Sequence, residues 1–253
     1  CGIIGYKPSS LLCSNKDLIL LSHTYDSIGL MSNKVININN IFNIINSFNY
    51  KNKKIIKKIE KIKCLIPTQA LEGDISPDVL QDFRFIISKL KKNNIDFEMK
   101  RLDCWSPGYH RRSLLKIIEN EGAQNLNELI NNHKSKITIN LRNNLLFGKN
   151  ITNETIKTLK HDLKDLKKRI ISTFEEYDLI IMPTTPQNSF NISNKVPENQ
   201  ANFTSLANIA DLPSLCLPFY CKNKQPSSLQ LISSNMNDEF LIKTSSFFEK
   251  ILQ

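Results

Sequence analysis

The chain has 253 residues, 40% of which are hydrophobic, and a formal net charge of +10 at pH 7. A chain of this length can form a sizeable hydrophobic core, so it does not need disulfides or metal ions to hold it together. No apolar run reaches the roughly 18 residues that span a bilayer, and no basic segment followed by an apolar stretch opens the sequence. These properties exclude a disordered or membrane-spanning chain and predict a globular, cytoplasmic protein with no membrane partner.

The positive charge raises the question of nucleic-acid binding, because lysine-rich surfaces bind phosphate groups. Lysine is accompanied here by frequent isoleucine and asparagine, as is typical of an AT-rich coding sequence. The densest lysine run, at residues 51–63, is interpreted as a solvated link between two elements. We therefore expect no specific nucleic-acid partner.

The six cysteines lie singly along the chain, at Cys1, Cys13, Cys64, Cys104, Cys216 and Cys221. None belongs to a CxxC pair, the spacing that is typical of zinc sites and redox motifs. We therefore predict reduced thiols, with neither a metal site nor a disulfide framework.

The first half of the chain alternates between strand and helix patterns. Residues 3–6 predict a short strand, and residues 35–48 have the three- and four-residue spacing of an amphipathic helix. Residues 64–66 predict a buried strand, Ser76 caps a following helix, and residues 97–102 alternate as the next strand. A strand, a crossover helix and a strand in this order predict a parallel pair.

Residues 105–133 carry aromatic and basic side chains with two interpretations each. Trp105, Tyr109 and His110 are candidates for lining a substrate pocket, although ordinary packing is favoured for each of them. Arg111 and Arg112 are able to clamp a carboxylate with two hydrogen bonds, and the alternative is the exposed edge of a helix. Both alternatives remain open from the sequence.

In the second half, residues 153–177 are predicted to form one long helix, because apolar residues recur there at helical spacing. Asp178 begins a central strand, and the turn at residues 183–186 follows its carboxyl end. Open α/β sheets bind ligands at that end of their strands. Thr184 and Thr185 are therefore candidate pocket residues.

The stretch at residues 202–234 combines a helix of small residues with two buried strands. Apolar residues from Phe203 to Ala210 have helical spacing, and the segment at 211–213 ends the helix because proline cannot continue it. Two strand-length apolar runs then flank a polar turn. This arrangement suits a wall that a ligand approaches closely.

Four segments of the chain resemble the amidase signature family, in the order in which that family carries them. They are CGIIGYKPS at residues 1–9, DLIIMPTTP at 178–186, ANIADLPSLCLP at 207–218 and LQLI at 229–232. The resemblance spans nearly the whole chain. It implies that residues 1–253 are a partial amidase domain, the C-terminal half of an α/β fold whose mixed, mostly parallel central sheet is flanked by helices.

The resemblance also implies an activity, the hydrolysis of a carboxamide to a carboxylic acid and ammonia or an amine. In the family a serine nucleophile works with a cis-serine and a neutral lysine, without metal or organic cofactor, on a small-molecule amide. These groups lie upstream of the segment at residues 1–9, so no residue here is expected to be catalytic and the chain alone is expected to be inactive. Thr204 matches a position that lines the acyl pocket in the family, and Phe203 lies beside it. With Thr184 and Thr185 they are the predicted substrate-binding residues.

Two alternatives remain beside a general amidase. The first is the glutaminase subunit of the tRNA-dependent amidotransferase, which should carry an arginine pair and an acidic residue where this chain has Asn143, Asn144 and Ala201. The second is a degenerate, non-catalytic half-domain. A bare half would expose an apolar face and associate, so a homodimer belongs among the expected partners.

Overall fold

The computed structural model describes residues 2–49, 62–93, 95–221 and 225–252, so most of the lysine run at 51–63 lies outside the described residues. The strands within them are β1 (Ile4–Lys7), β2 (Leu30–Ser32), β3 (Lys63–Pro67), β4 (Asp96–Lys100), β5 (Leu179–Pro183), β6 (Ser214–Phe219) and β7 (Ser227–Ser233). These seven strands form one sheet in the order β2-β1-β6-β7-β5-β3-β4. No helix in the described ranges is long and apolar enough to cross a membrane.

Helices cover both faces of the sheet. They are α1 (Val35–Asn49), α2 (Pro77–Lys91), α3 (Pro107–Asn125), α4 (Asn127–Asn132), α5 (Ile139–Lys149), α6 (Asn153–Ser172), α7 (Ser205–Ala210) and α8 (Asp238–Leu252). Buried residues of α1, α2 and α8 share one hydrophobic core with the sheet, and we call this side the first layer. Buried residues of α3, α6 and α7 share another core with the opposite face, and we call that side the second layer.

The mixed sheet flanked by helices confirms the predicted fold class in outline, but the expectation of a mostly parallel sheet was wrong for the described strands. β3 pairs in parallel with β4 and β5, as the crossover through α2 predicted. The other four pairings are antiparallel. The physical reason is connectivity: β6 and β7 are neighbours joined by a short connection, which permits only antiparallel pairing.

Strand alternation divides the apolar residues between the two layers. In β5, Leu179 and Ile181 enter the first-layer core, whereas Ile180 and Met182 enter the second-layer core. Both faces of this strand are therefore buried, which explains why its sequence is a continuous apolar run.

Several predicted boundaries shift by a few residues. The long helix ends at Ser172 and continues as a 3₁₀ turn at Thr173–Glu175. The small-residue helix begins at Ser205, so Phe203 and Thr204 precede it. Ser76 caps α2 as predicted, accepting a hydrogen bond from the backbone N–H of Val79 at 3.3 Å.

A buried carboxylate joins the start of the chain to its last helix. Asp238 accepts hydrogen bonds from the Tyr6 hydroxyl at 2.6 Å, the Ser9 backbone N–H at 2.9 Å and the Ser9 hydroxyl at 2.6 Å. The Ser9 hydroxyl also accepts from the backbone N–H of Met236 at 2.9 Å. Burial and the neighbouring carboxylate raise the pKa of Tyr6 well above its ordinary value, so its hydroxyl stays a donor. This network fixes β1 against the first turn of α8.

The first turn of α3 depends on a buried histidine. His110 is 8% exposed, and its Nδ1 accepts the backbone N–H of Ser106 at 2.9 Å. Pro107 occupies the first turn, where a missing N–H is harmless. Burial lowers the pKa of His110, and the negative charge of Asp162 opposes this only in part. The neutral imidazole therefore holds the start of the helix.

We predict that Asp238→Ala lowers the free energy of unfolding by about 3 kcal/mol or more, because three buried donors lose their acceptor. Urea unfolding followed by circular dichroism measures the change. The control is Glu239→Ala, which removes a partly exposed ion pair with Lys243 and should cost less than about 1 kcal/mol. Equal effects of the two substitutions would contradict a structural role for the Asp238 network.

We also predict a pH dependence that originates in His110. As the pH falls through the ordinary value of 6.5, the unfolded histidine takes up a proton before the folded one, whose pKa is lowered. Stability is therefore complete above this pH and falls as the pH drops toward the folded pKa. His110→Asn keeps an acceptor that does not titrate, so it should lose less stability between pH 7.5 and pH 5.5. Parallel pH profiles of the unfolding free energy would refute this assignment.

Candidate functional site

A cavity of about 570 Å³, which we call the first cavity, lies between the sheet and helices α3 and α7. Its floor is a row of residues paired across β2, β1, β6 and β7, namely Met31, Gly5, Cys216 and Gln230. A Cβ atom added at Gly5 would meet no atom within 4 Å, so the space above this residue is open. Pockets for small molecules have volumes of about 300–1,000 Å³, so the first cavity can hold one.

The alternation of side chains along β6 and β7 explains why space remains there. The first-layer core receives the leucines of these strands, which are Leu215, Leu217, Leu229 and Leu231. The residues between them point to the second layer, where Ser214, Cys216 and Gln230 line the cavity. These side chains are small or polar, so they do not form an apolar surface against which α3 and α7 could pack closely.

The opposite wall of the first cavity comes from two helices of different character. The α3 residues that line it are Arg111, Leu114, Leu115 and Ile118. The second contribution comes from α7 and the turn before it, with Ala201, Thr204, Ser205, Ala207 and Asn208. The small side chains of α7 leave room for close approach, as the sequence predicted for this wall.

The charges around the first cavity are all positive. Lys7 and Arg111 line it, and no aspartate or glutamate among the described residues does. The Lys7 ammonium donates to the carbonyl oxygens of Pro8 at 3.0 Å and Leu212 at 3.1 Å. Burial lowers the pKa of Lys7, although Asp211 opposes this shift. The two charged side chains that line the cavity among the described residues are thus both basic, and its wall on α3 is largely apolar.

Gln230 is the most unusual residue of the floor. It is 1% exposed, and neither its side-chain nitrogen nor its side-chain oxygen has a hydrogen-bond partner among the described residues. Burying an amide without partners costs about 1–3 kcal/mol by mutational scales. A ligand that offers both a donor and an acceptor would remove this cost.

A second cavity of about 440 Å³ adjoins the first and shares Gly5, Met31 and Cys216 with it. Thr184 and Thr185 line this second cavity. Their hydroxyls already have partners in the structure. Thr184 donates to the Ser228 hydroxyl at 2.8 Å, and Thr185 donates to the carbonyl of Gln187 at 2.7 Å.

A third cavity of about 320 Å³ lies at the first turn of α3, and Arg111 lines both it and the first cavity. Its other charged residues are Glu72, Asp74, Arg112 and Glu198. Phe203 lines this cavity and is buried, with its ring tilted by 60° against Trp105 at a centroid distance of 6.4 Å.

The structure therefore brings the four predicted substrate-binding residues to neighbouring cavities rather than to one. Thr204 lines the first cavity, Thr184 and Thr185 line the second, and Phe203 lines the third. Their role in binding stays a prediction. The aromatic candidates at residues 105, 109 and 110 line none of these three cavities, which agrees with the packing interpretation.

The residues that separate the two amidase hypotheses lie in different places. Ala201 lines the first cavity, so the side chain expected to be acidic in a glutaminase subunit is a methyl group there. Asn143 and Asn144 are exposed on α5 and do not line the first cavity. Among the described residues, no carboxylate that could bind an ammonium group lines the first cavity.

Sequence reasoning missed Gly5, Cys216 and Gln230 as members of one row. A signal existed in β6 and β7, because polar or small residues alternate there with leucines that are certain to be buried. Their pairing with β1 is a contact between distant parts of the chain, which no local pattern reveals.

Comparisons with known proteins agree on a family. The Amidase family model matches residues 1–242. The chain is 23% identical over 289 residues to the A subunit of glutamyl-tRNA(Gln) amidotransferase from Legionella pneumophila (strain Corby), an alignment that covers 99% of the chain and 60% of the relative. A crystal structure of an amidase matches with a TM-score of 0.89 and 17% identity, over 100% of this chain and 59% of that one. The A subunit of the Thermotoga maritima glutamyl-tRNA(Gln) amidotransferase matches with a TM-score of 0.72 and 20% identity, over 96% of this chain and 56% of that one.

At these identities the structural matches establish the fold, a mixed sheet flanked by helices. The chain spans about 60% of the length of the curated relative from Legionella. The family model, in contrast, covers almost every residue of the chain. The resemblance of its four sequence segments is thereby confirmed, and the chain belongs to the amidase signature family.

Proposed function

We propose that this chain is the C-terminal part of an amidase that hydrolyses a small carboxamide to a carboxylic acid and ammonia or an amine. The observation that carries the proposal is the first cavity, an open space over a row of small and polar residues in a member of the amidase family. Its volume suits a small organic amide. A cytoplasmic location is part of the proposal.

The proposed reaction is acyl transfer. A serine activated through a cis-serine and a neutral lysine attacks the amide carbon, and backbone N–H groups stabilise the oxyanion. The amine leaves with a proton, and water then releases the acid from the acyl-enzyme. In this proposal the nucleophile comes from outside residues 1–253, and these residues supply the walls of the substrate site.

Within this reaction, we assign substrate contact to Thr204 in the first cavity and to Thr184 and Thr185 in the second. Phe203, the neighbour of Thr204 in the chain, has a packing role as well, because its ring is buried beside that of Trp105. Gln230 adds an unpaired amide on the floor, which is suited to orient an amide or carboxyl group of the substrate.

The glutaminase subunit of an amidotransferase is a second candidate, because the relative from Legionella is named as the A subunit of a glutamyl-tRNA(Gln) amidotransferase. Ala201 in the first cavity argues against it, since the ammonium group of glutamine would lack a counter-charge. A comparison of ammonia release from glutamine and from simple carboxamides separates the two candidates.

The first experiment is to determine the coding sequence upstream of Cys1. We expect a continuous reading frame with a glycine-serine loop and a second serine-containing glycine segment, and we expect the longer protein to release ammonia or amine from small amides. A stop codon directly before Cys1 would overturn the amidase proposal and favour a non-catalytic half-domain. Such a half-domain should form a homodimer, which sedimentation would detect.

A second prediction concerns the floor of the first cavity. Gly5→Leu places a side chain in the open space above β1 and should reduce kcat/KM for small amides by at least about tenfold, because the cavity is filled. Gly5→Ala is the matched control, since one methyl group there meets no atom within 4 Å. Wild-type turnover by Gly5→Leu would show that the substrate binds elsewhere, and unchanged unfolding midpoints would exclude a folding defect.

A further inference from the structure

We propose that Arg111 binds a carboxylate group of the ligand in the first cavity. The substrate would then be an amide that carries a carboxylate but no ammonium group, such as the monoamide of a dicarboxylic acid. This inference rests on the proposed function, because it names the class of amide that the same site accepts. It begins from Arg111 itself, which lies where the first and third cavities meet.

The Arg111 side chain lacks a close partner among the described residues. Arg111 follows the first turn of α3, directly after His110, whose imidazole accepts the backbone N–H of Ser106. Arg111 makes no hydrogen bond or ion pair within 4 Å to another described residue, and its Nε atom is buried without a partner. A guanidinium in this state costs free energy unless an anion satisfies it.

Two of the three acidic residues of the third cavity are engaged elsewhere, and no ion pair joins the third, Asp74, to Arg111 among the described contacts. Glu72 accepts from Arg101 at 2.9 Å, and Glu198 pairs with Lys195 at 3.0 Å. Lys195 lowers the pKa of Glu198 most strongly, with smaller contributions from Arg111 and Arg112. Arg111 therefore feels Glu198 at a distance but is not paired with it.

The first cavity offers Arg111 no internal counter-charge either. Lys7, the other cation of its lining, already donates to two backbone carbonyls. No described aspartate or glutamate lines this cavity. Lys7 keeps one N–H that is not engaged in these bonds, whereas Arg111 is the lining cation with more hydrogen-bond donors left for a ligand. The planar guanidinium matches a carboxylate with two parallel hydrogen bonds.

The rest of the lining defines the remainder of the ligand. Leu114, Leu115 and Ile118 follow Arg111 along α3 and offer an apolar surface to a short carbon chain. Gln230 on the floor has both a free donor and a free acceptor, which suits an amide group. With Ala201 in the wall, an ammonium group on the chain would enter an electropositive space without a partner.

The test measures binding of three ligands of equal length to the 253-residue chain by isothermal titration calorimetry at low salt. They are glutaramate, which is anionic, glutaramide, which is neutral, and glutamine, which is zwitterionic. We expect glutaramate to bind at least about tenfold more tightly than the other two. Arg111→Gln should remove this preference, and Arg111→Lys should retain only part of it. Succinic and adipic monoamides then define the preferred chain length.

Arg112→Gln is the matched control. Arg112 is the adjacent cation, and it lines the third cavity but not the first. It should change glutaramate affinity by less than about twofold. Thermal unfolding of each variant establishes that it is folded. The inference is overturned if none of the three ligands binds, if affinity is independent of ligand charge, or if Arg112→Gln weakens binding as much as Arg111→Gln.

The outcomes separate this inference from the proposed function. If glutaramate binds through Arg111 but the longer protein turns over no amide, the anion site stands and the amidase proposal fails. If the longer protein hydrolyses neutral and anionic amides equally well and Arg111→Gln changes neither rate, the amidase proposal stands and the carboxylate site fails.

Discussion

The register of three neighbouring strands, β1, β6 and β7, is the constraint on which the site depends. It pairs Gly5 with Cys216 and Cys216 with Gln230, so that one row of small or polar residues faces the second layer. The leucines on either side of that row face the first layer and form its core. Because side chains alternate with a period of two, a slip of one residue would exchange the two sets. Leucines would then fill the cavity and polar groups would enter the core, so the same pairing determines both stability and the site.

The parallel and antiparallel halves of the sheet accordingly differ in what their faces contact. β3, β4 and β5 form a parallel arrangement, and β3 and β5 are buried on both faces, as their continuous apolar sequences require. β1, β6 and β7 are antiparallel, with one apolar face and one face open to a ligand. Asp238 ties this second half to α8 through Tyr6 and Ser9. The open face therefore lies on a strand assembly that is fixed from the opposite side.

Much of this architecture could be predicted from local patterns. The apolar stripe of α6, the Ser76 cap and the parallel pair of β3 and β4 follow from periodicity, capping chemistry and a crossover of the right length. The pairing of β1 with β6 could not be predicted in this way, because the two strands are separated by about 200 residues. No local signal specifies which distant strands become neighbours.

The residues of the candidate site likewise divide into those that local sequence patterns or the family resemblance identify and those that depend on contacts between distant strands. The two threonines after β5 were identified from their position at the carboxyl end of a strand, and Thr204 was identified from the family resemblance; all three line cavities. Gln230 lies in a segment that resembles the family. That its side-chain amide has no hydrogen-bond partner among the described residues is known only once β5 and β6 are placed on either side of β7. The sequence left two alternatives open for Arg111, a carboxylate clamp and an exposed helix edge. Choosing between them requires the groups that face its side chain, and these belong to other elements.

The position of Cys216 in the floor has a chemical consequence. A thiol beside an acyl-transfer site could compete as a nucleophile or become oxidised, and both reactions need the thiolate. Burial raises the pKa of Cys216 to about 11. At neutral pH the protonated thiol therefore predominates. The floor thus presents sulfur to a ligand as a polarisable, nearly inert surface, and the cavity can contain a cysteine without acquiring its reactivity.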